Sequence, residues 1–169
     1  MPEAVIVAAA RSPIGRARKG SLADVRPDDM AAQMVRAALA QIPALDASTI
    51  DDLQLGCAIP EGHQGGNLAR IVASRVGLDT VPGATVSRFC ASSIETTRSA
   101  FHAIRAGEGT AIISAGVESL SMGTTKLINE DARDPYFQPA WERSARRASR
   151  EIPAPWHDPR AVSYTHLRA

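Results

Sequence analysis

The segment VSRFCASSIETTRSAFHAI carries the residue best suited to covalent chemistry. Cys90 stands there between a short apolar run and a stretch of helical periodicity, at or next to a helix N-terminus. Unpaired backbone N–H groups and the positive end of the helix dipole gather at such a point, and both favour a thiolate over a thiol. The same N–H groups can donate to an oxyanion that develops when a carbonyl is attacked. Ala91, Ser92 and Ser93 are small, which leaves room for an acyl chain or a pantetheine arm. The chemistry that fits is nucleophilic covalent catalysis by a cysteine thiolate. Position alone leaves a plain alternative open, in which Cys90 is a small buried apolar residue.

A nucleophile of this kind works with a base. His102 follows on the same predicted helix, 12 residues on. At about 1.5 Å of rise per residue that is roughly 18 Å along the axis, out of reach. His63 lies in the glycine-rich loop EGHQGGN, His157 in an irregular region and His166 near the end of the chain. None presents itself as a partner, so the base is expected from residues outside this sequence. Gly62, Gly65 and Gly66 lack phosphate-binding spacing and read as a turn. Arg11, Arg16, Arg18 and Lys19 read as a solvated basic loop, and Cys57, in an apolar run, as core. The pattern G-x-S-x-G is absent, which removes a hydrolase elbow.

The elements that must position Cys90 follow from the hydrophobic pattern. Residues 4–10 (AVIVAAA) are short, apolar and rich in β-branched side chains, and predict a buried strand. A long loop with Pro13, Gly15, Gly20 and Pro27 follows, and then a helix opened by Asp28 and Asp29, with Met30, Met34, Ala38 and Leu39 turned inward. Residues 53–59 predict a second strand; Asn67 is a candidate N-cap for a helix through Leu68, Ile71, Val72 and Val76 that Gly77 closes. Residues 84–86 form a short strand, and Ile94, Thr97, Phe101 and Ile104 mark the helix after Cys90, which Gly107 stops. Residues 110–117 predict a fourth strand ending in Glu118–Ser119. Strands alternating with helices imply a largely parallel sheet covered on both faces. Beyond Gly123 the pattern degrades into a polar, basic stretch with Tyr136, Phe137, Trp141 and Trp156, read as an excursion or lid.

Composition narrows the class further. With 44% hydrophobic and 22% charged residues the chain reads as a soluble globular protein. Lys plus Arg (19) against Asp plus Glu (18) gives a net charge of +1, no basis for binding nucleic acid or an anionic membrane. Residues 4–10 are too few to cross a bilayer, and Glu3 stands where a signal peptide needs positive charge. Two cysteines without zinc spacing predict neither a disulfide framework nor a metal site, and make a reducing cytoplasm the expected setting.

Four segments together resemble the thiolase family. AVIVAAARSPIGRARKGSL is similar to its opening strand and loop, LQLGCAIPEGHQGGNLARIVASRVGL to its second strand and following helix, VSRFCASSIETTRSAFHAIRAGEG to its nucleophile segment, and IISAGVESLSMG to the next strand and turn. The resemblance implies an α/β fold, a truncated thiolase-like N-terminal half-fold with a layered, mostly parallel mixed sheet and helices on both faces. It divides the chain into an incomplete α/β domain at 1–123, the beginning of a loop or lid domain at 124–160, and an unassigned tail at 161–169, with a reading-frame scar as one reading of that tail. It implies acyl-CoA C-acyltransfer of the kind used in fatty acid metabolism, with Cys90 as the acyl-accepting residue. An acyl-CoA would be the substrate, with no metal and no other cofactor, and the full-length family assembles as homo-oligomers. The departures are equally specific. Two histidines and a second, acid–base cysteine lie in C-terminal motifs that this sequence lacks, and Ser87 stands where relatives often carry Asn. The expectation is negligible turnover by this chain alone, with exposed sheet edge and core face favouring association. Two alternatives remain: a ketoacyl synthase or hydroxymethylglutaryl-CoA synthase relative, and a non-catalytic dimerising fragment whose residues 85–88 lie near the family's subunit interface.

Overall fold

Residues 2–123 and 138–149 are described by the structure, a computed structural model. The chain divides into two units, Met1–Thr125 and Lys126–Ala169. In the first, α1 (Pro27–Leu39) begins with proline at its first position, where the missing N–H costs nothing, and Arg26 ahead of it is extended as a residue before proline prefers. Asp28 and Asp29 occupy the first turn, as expected. The buried face differs from the expected one: Asp28, Ala31, Ala32 and Val35 point inward, while Met30, Met34, Ala38 and Leu39 are half-buried. The small residues face inward because α2 (Leu68–Arg75) packs directly on α1. Arg75 of α2 pairs with the buried Asp28 (Nη1–Oδ2 3.3 Å), which Arg26 also holds at 3.0 Å. Asn67 caps α2 by accepting from the Arg70 N–H at 3.4 Å, and Gly77 (φ 84°) leaves it in the left-handed region.

The sheet has three parallel strands in the order β2-β1-β3: β1 Asp52–Gly56, β2 Gly83–Val86 and β3 Ile112–Gly116. Strand alternation on the central β1 assigns the faces. Leu53, Leu55 and Cys57 are buried with Leu68, Ala69, Val72 and Ala73 of α2 and with α1. Gly56 faces the other way, against α3 (Ser92–Ala106). The two crossover helices therefore cover opposite faces, as the alternating pattern predicted. α3 ends at Gly107 (φ 80°), with the Glu108 N–H returned to the Ala103 carbonyl.

One expectation fails for a physical reason. Residues 4–10 form no strand, and Val5, Ile6 and Val7 are 67%, 82% and 68% exposed. β-Branched content favours extended backbone, but a strand exists only where another strand completes its ladder, and none pairs with 4–10 among the described residues. On α3, Ser92, Thr96 and Ala100 are buried on the sheet, while Ile94 is 73% exposed and Phe101 45%. A helix seated on strand-end glycines needs a small-residue row there, and this displaces the apolar row to the outside.

In the second unit, α4 (Gln138–Ala148) is a helix that the polar composition did not foretell. Gln138 donates to Glu142 at 3.0 Å, and Arg146 and Arg147 sit favourably in the last turn. The rest of the expected lid and the tail at 161–169, with Tyr136, Phe137, Trp156, His157 and His166, lie outside the described residues. No helix among the described residues is long and apolar enough to cross a membrane.

Candidate active site

The carboxyl ends of parallel strands are where open α/β sheets place their sites, and here β2 leads straight into the turn that carries Cys90. Helix α3 starts at Ser92 with Ala91 as its cap, so Cys90 precedes the first helical residue by two positions. The turn is closed by Ala91 N–H to the Arg88 carbonyl (3.1 Å) and Ser92 N–H to the Phe89 carbonyl (3.0 Å). The buried Ser92 hydroxyl locks it a second time, donating to the Phe89 carbonyl at 2.6 Å and accepting from the Arg88 N–H at 2.8 Å. Phe89 is held at φ 48°, a left-handed backbone that costs a non-glycine residue about 1–2 kcal/mol. The turn thus leaves Cys90 as an exposed free thiol.

Two glycines allow this seating. A Cβ on Gly56 would lie 2.6 Å from the Ser92 carbonyl carbon and the Ser93 nitrogen. A Cβ on Gly116 would run into the Ser93 hydroxyl. The first turn of α3 therefore rests on the bare ends of β1 and β3. On the outer side, Glu95 pairs with Arg88 and, at 3.0 Å, with Arg98; the Arg88 hydrogen bond, and after it the two nearby positive charges, hold its carboxyl below the ordinary carboxylate range.

Past the strand ends the main-chain ladder stops at Cys57 N–H to the Val86 carbonyl and Val117 N–H to the Gly56 carbonyl, each 3.0 Å. Side chains then take over. Glu118 Oε2 accepts from the Ala58 N–H at 2.5 Å, and the Ala58 carbonyl accepts from the Ser87 hydroxyl at 2.8 Å. Gln64, 1% exposed, donates to Glu118 Oε1 (2.6 Å) and the Ile59 carbonyl (2.8 Å) and accepts from the Ser119 N–H (2.9 Å). Sequence reasoning missed this network. Its signals were a lone glutamine among glycines and a polar pair closing an apolar strand.

The other candidates lie apart from Cys90. Cys57 is buried 3.7 Å from Glu118 Oε2; burial first, and the neighbouring carboxylate second, push its thiol up to about 12, in keeping with a core role. His63 is exposed with Nδ1 3.2 Å from the Met122 carbonyl, and His102 stacks edge-on to Phe101 at 5.3 Å. Neither pairs with Cys90 among the described residues. Gly62 and Gly66 take positive φ in a turn around residues 62–64, and Arg11, Arg16, Arg18 and Lys19 are exposed on their loop. A hollow of about 350 Å³ lies between residues 12–17, Met30 and Met34 of α1 and residues 116–121, and Cys90 does not line it. No group of three or more His, Cys, Asp or Glu side chains able to hold a metal occurs among the described residues.

The described residues thus form a parallel α/β sheet whose β2–α3 turn presents a free cysteine at its carboxyl edge. Residues 4–145 match the family description "Thiolase, N-terminal domain", and the chain belongs to the thiolase family. It is 46% identical over 122 residues to the 3-ketoacyl-CoA thiolase of Bacillus subtilis (strain 168), covering 72% of this chain and 31% of that protein. It is also 46% identical over 120 residues to the beta-ketoadipyl-CoA thiolase of Pseudomonas knackmussii, covering 70% of this chain and 30% of that one. The crystal structure of the Bacillus anthracis acetyl-CoA acetyltransferase superposes with a TM-score of 0.70 at 31% identity, over 80% of this chain and 34% of that one. The chain spans about a third of the length of the curated relatives it matches.

Proposed function

We propose that this chain is the nucleophile-bearing part of an acyl-CoA C-acyltransferase and that Cys90 is the residue acylated. The observation that supports this most directly is the placement of Cys90: exposed, unpaired, and fixed by Ser92 in a turn at the carboxyl edge of the sheet. With acetyl-CoA, the Cys90 thiolate attacks the thioester carbonyl, the carbon–sulfur bond to coenzyme A breaks, and coenzyme A leaves as its thiol with the proton that Cys90 gave up. With a 3-ketoacyl-CoA the attack falls on the keto carbon, and the bond to the neighbouring carbon breaks. That carbon then takes up a proton as acetyl-CoA leaves. Both routes end in an acyl-cysteine that a second thiol or carbon nucleophile resolves. The proton transfers need a base and an acid that the described residues do not bring to Cys90, so this chain alone is expected to turn over negligibly.

The reading further takes coenzyme A thioesters as the substrates, without a metal or redox cofactor. It sets the reaction in cytoplasmic fatty acid metabolism and expects homo-oligomeric assembly of a longer chain. The test is intact mass spectrometry after incubation with acetyl-CoA, beside Cys90→Ser. A slow single acetyl adduct mapped to Cys90 and absent from the variant is expected. An adduct on another residue, or none while Cys90 still alkylates freely, overturns the assignment. A second reading, association without catalysis, is favoured by the exposed Phe89, Ile94 and Phe101, and predicts self-association that Cys90→Ser does not alter.

A further inference from the structure

We infer that Ser87 and Glu118 are positioning residues for Cys90, acting together through the main chain of Ala58; the inference rests on Cys90 being the acylated residue. β1 is the central strand, so its exit lies between the exit of β2, which becomes the Cys90 turn, and the exit of β3. Beyond the last main-chain rungs, Ala58 is held from both sides. Its N–H goes to Glu118 on the β3 side and its carbonyl takes the Ser87 hydroxyl on the β2 side. The two side chains extend the ladder by one rung, at the point where the nucleophile turn departs.

Gln64 braces the outer end of this rung. It is buried, both N–H groups of its amide are used, by the Ile59 carbonyl and Glu118, and its oxygen accepts from the Ser119 N–H, which holds Glu118 towards Ala58. The inner end matters because, among the described residues, Ser87 makes the hydrogen bond that ties the turn to the exit of β1. Ser92 locks the turn to itself, through Arg88 and Phe89. The glycine seat fixes the α3 side of the turn, Ser87 fixes its β2 side against Ala58, and the Ser92 lock sets its shape. A nucleophile displaced by a fraction of an ångström from its attack geometry loses rate while the affinity for the acyl donor, made elsewhere, stays.

The test compares Ser87→Ala, Ser87→Thr, Glu118→Ala and the Ser87→Ala/Glu118→Ala pair. The limiting rate of Cys90 acetylation by acetyl-CoA is expected to fall about tenfold in each alanine variant, with the half-saturating concentration unchanged. The double variant falls no further than the worse single one, because both act through Ala58, and Ser87→Thr, which keeps the hydroxyl, restores the rate. Hydrogen exchange of the Ala91 and Ser92 amides quickens about tenfold in the alanine variants. Wild-type rates and exchange in the alanine variants overturn the inference. So does a shift in half-saturation instead of rate, strictly multiplicative losses in the double variant, or no rescue by threonine. If the unaltered chain takes up no acetyl group, the acylation reading fails by itself. Amide exchange then decides the positioning claim alone: faster exchange at an unchanged melting temperature sustains it, and unchanged exchange overturns it.

Discussion

Replacing Gly56 by alanine tests whether α3 owes its seat to a missing side chain. Gly56 has no positive φ that would penalise alanine, so the change acts only through space. The added Cβ would stand 2.6 Å from main-chain atoms of Ser92 and Ser93, where ordinary contact begins at 3.4 Å. Those atoms are backbone at the start of a fifteen-residue helix and cannot swing aside. The helix start must therefore retreat by about 0.8 Å, carrying the adjacent Cys90 turn with it. Overpacking of this kind costs about 1–3 kcal/mol, or a fall of roughly 4–12 °C in melting temperature for a unit of this size. A misplacement approaching 1 Å at a nucleophile reduces its rate by about ten- to a hundredfold. Thermal denaturation by circular dichroism and the rate of Cys90 acetylation read the two effects separately. Gly66→Ala is the control: its φ of 67° strains alanine by about 1–2 kcal/mol, but nothing lies within 4 Å of the new Cβ. Gly56→Ala should slow Cys90 and Gly66→Ala should not, although both lower stability. Equal acetylation rates in the two variants would refute the claim that strand-end glycines seat the nucleophile.

Four further outcomes follow from the same structure. Because burial raises the Cys57 thiol to about 12 from an ordinary 9.0, the unfolded chain ionises first as pH rises; stability should hold below about pH 9 and decline towards pH 12 in urea titrations, and Cys57→Ala should flatten that decline. The Asp51 carboxyl is held below its ordinary 3.8, first by the Thr110 N–H and then by that of Ala111, so its contribution is present above that pH and lost as pH falls through the lower folded value. Asp51→Asn should accordingly reduce the acid sensitivity of the melting temperature. Arg75→Met, which leaves the buried Asp28 with Arg26 alone, should cost about 1–3 kcal/mol by chemical denaturation, whereas Asp29→Asn on the exposed side should stay within about 0.5 kcal/mol. Ile94→Asp should leave stability within about 0.5 kcal/mol while lowering self-association in sedimentation velocity, and unfolding instead would show that this face is already covered.

Where local pattern and final environment agree, the sequence was readable. Pro27 with Asp28 and Asp29, Asn67 with Gly77, and the stop at Gly107 mark their helices through interactions made within a few residues. β1, β2 and β3 formed within one to three residues of the expected limits, because their apolar character is satisfied inside the chain. Residues 4–10 read as strand from the same kind of signal, but pairing is a property of a neighbour and is not written in the segment itself. The place of Cys90 between a strand and a helix followed from strand–turn–helix grammar, whereas its exposure did not, since position alone also allowed a buried thiol. The tie from Gln64 through Glu118 and Ala58 to Ser87 did not, since its members come from three separate strand exits and meet only once the order β2-β1-β3 exists.

The buried face of α3 carries the same point into energetics. Ile94, Thr97, Phe101 and Ile104 mark the period of the helix, while Ser92, Thr96 and Ala100 face the sheet. The choice is decided by distance rather than by transfer free energy. Gly56 and Gly116 bring the sheet so near that an isoleucine at the contact would have to push the helix away, and the hydroxyls there find specific partners instead. Thr96 donates to the Ser93 carbonyl at 2.9 Å and receives the Ser114 hydroxyl at 3.0 Å, so burying it leaves no unpaired polar group. Close approach of α3 and accurate placement of Cys90 are thus one requirement. The glycines and hydroxyls that satisfy it weaken the hydrophobic signal where the site is built.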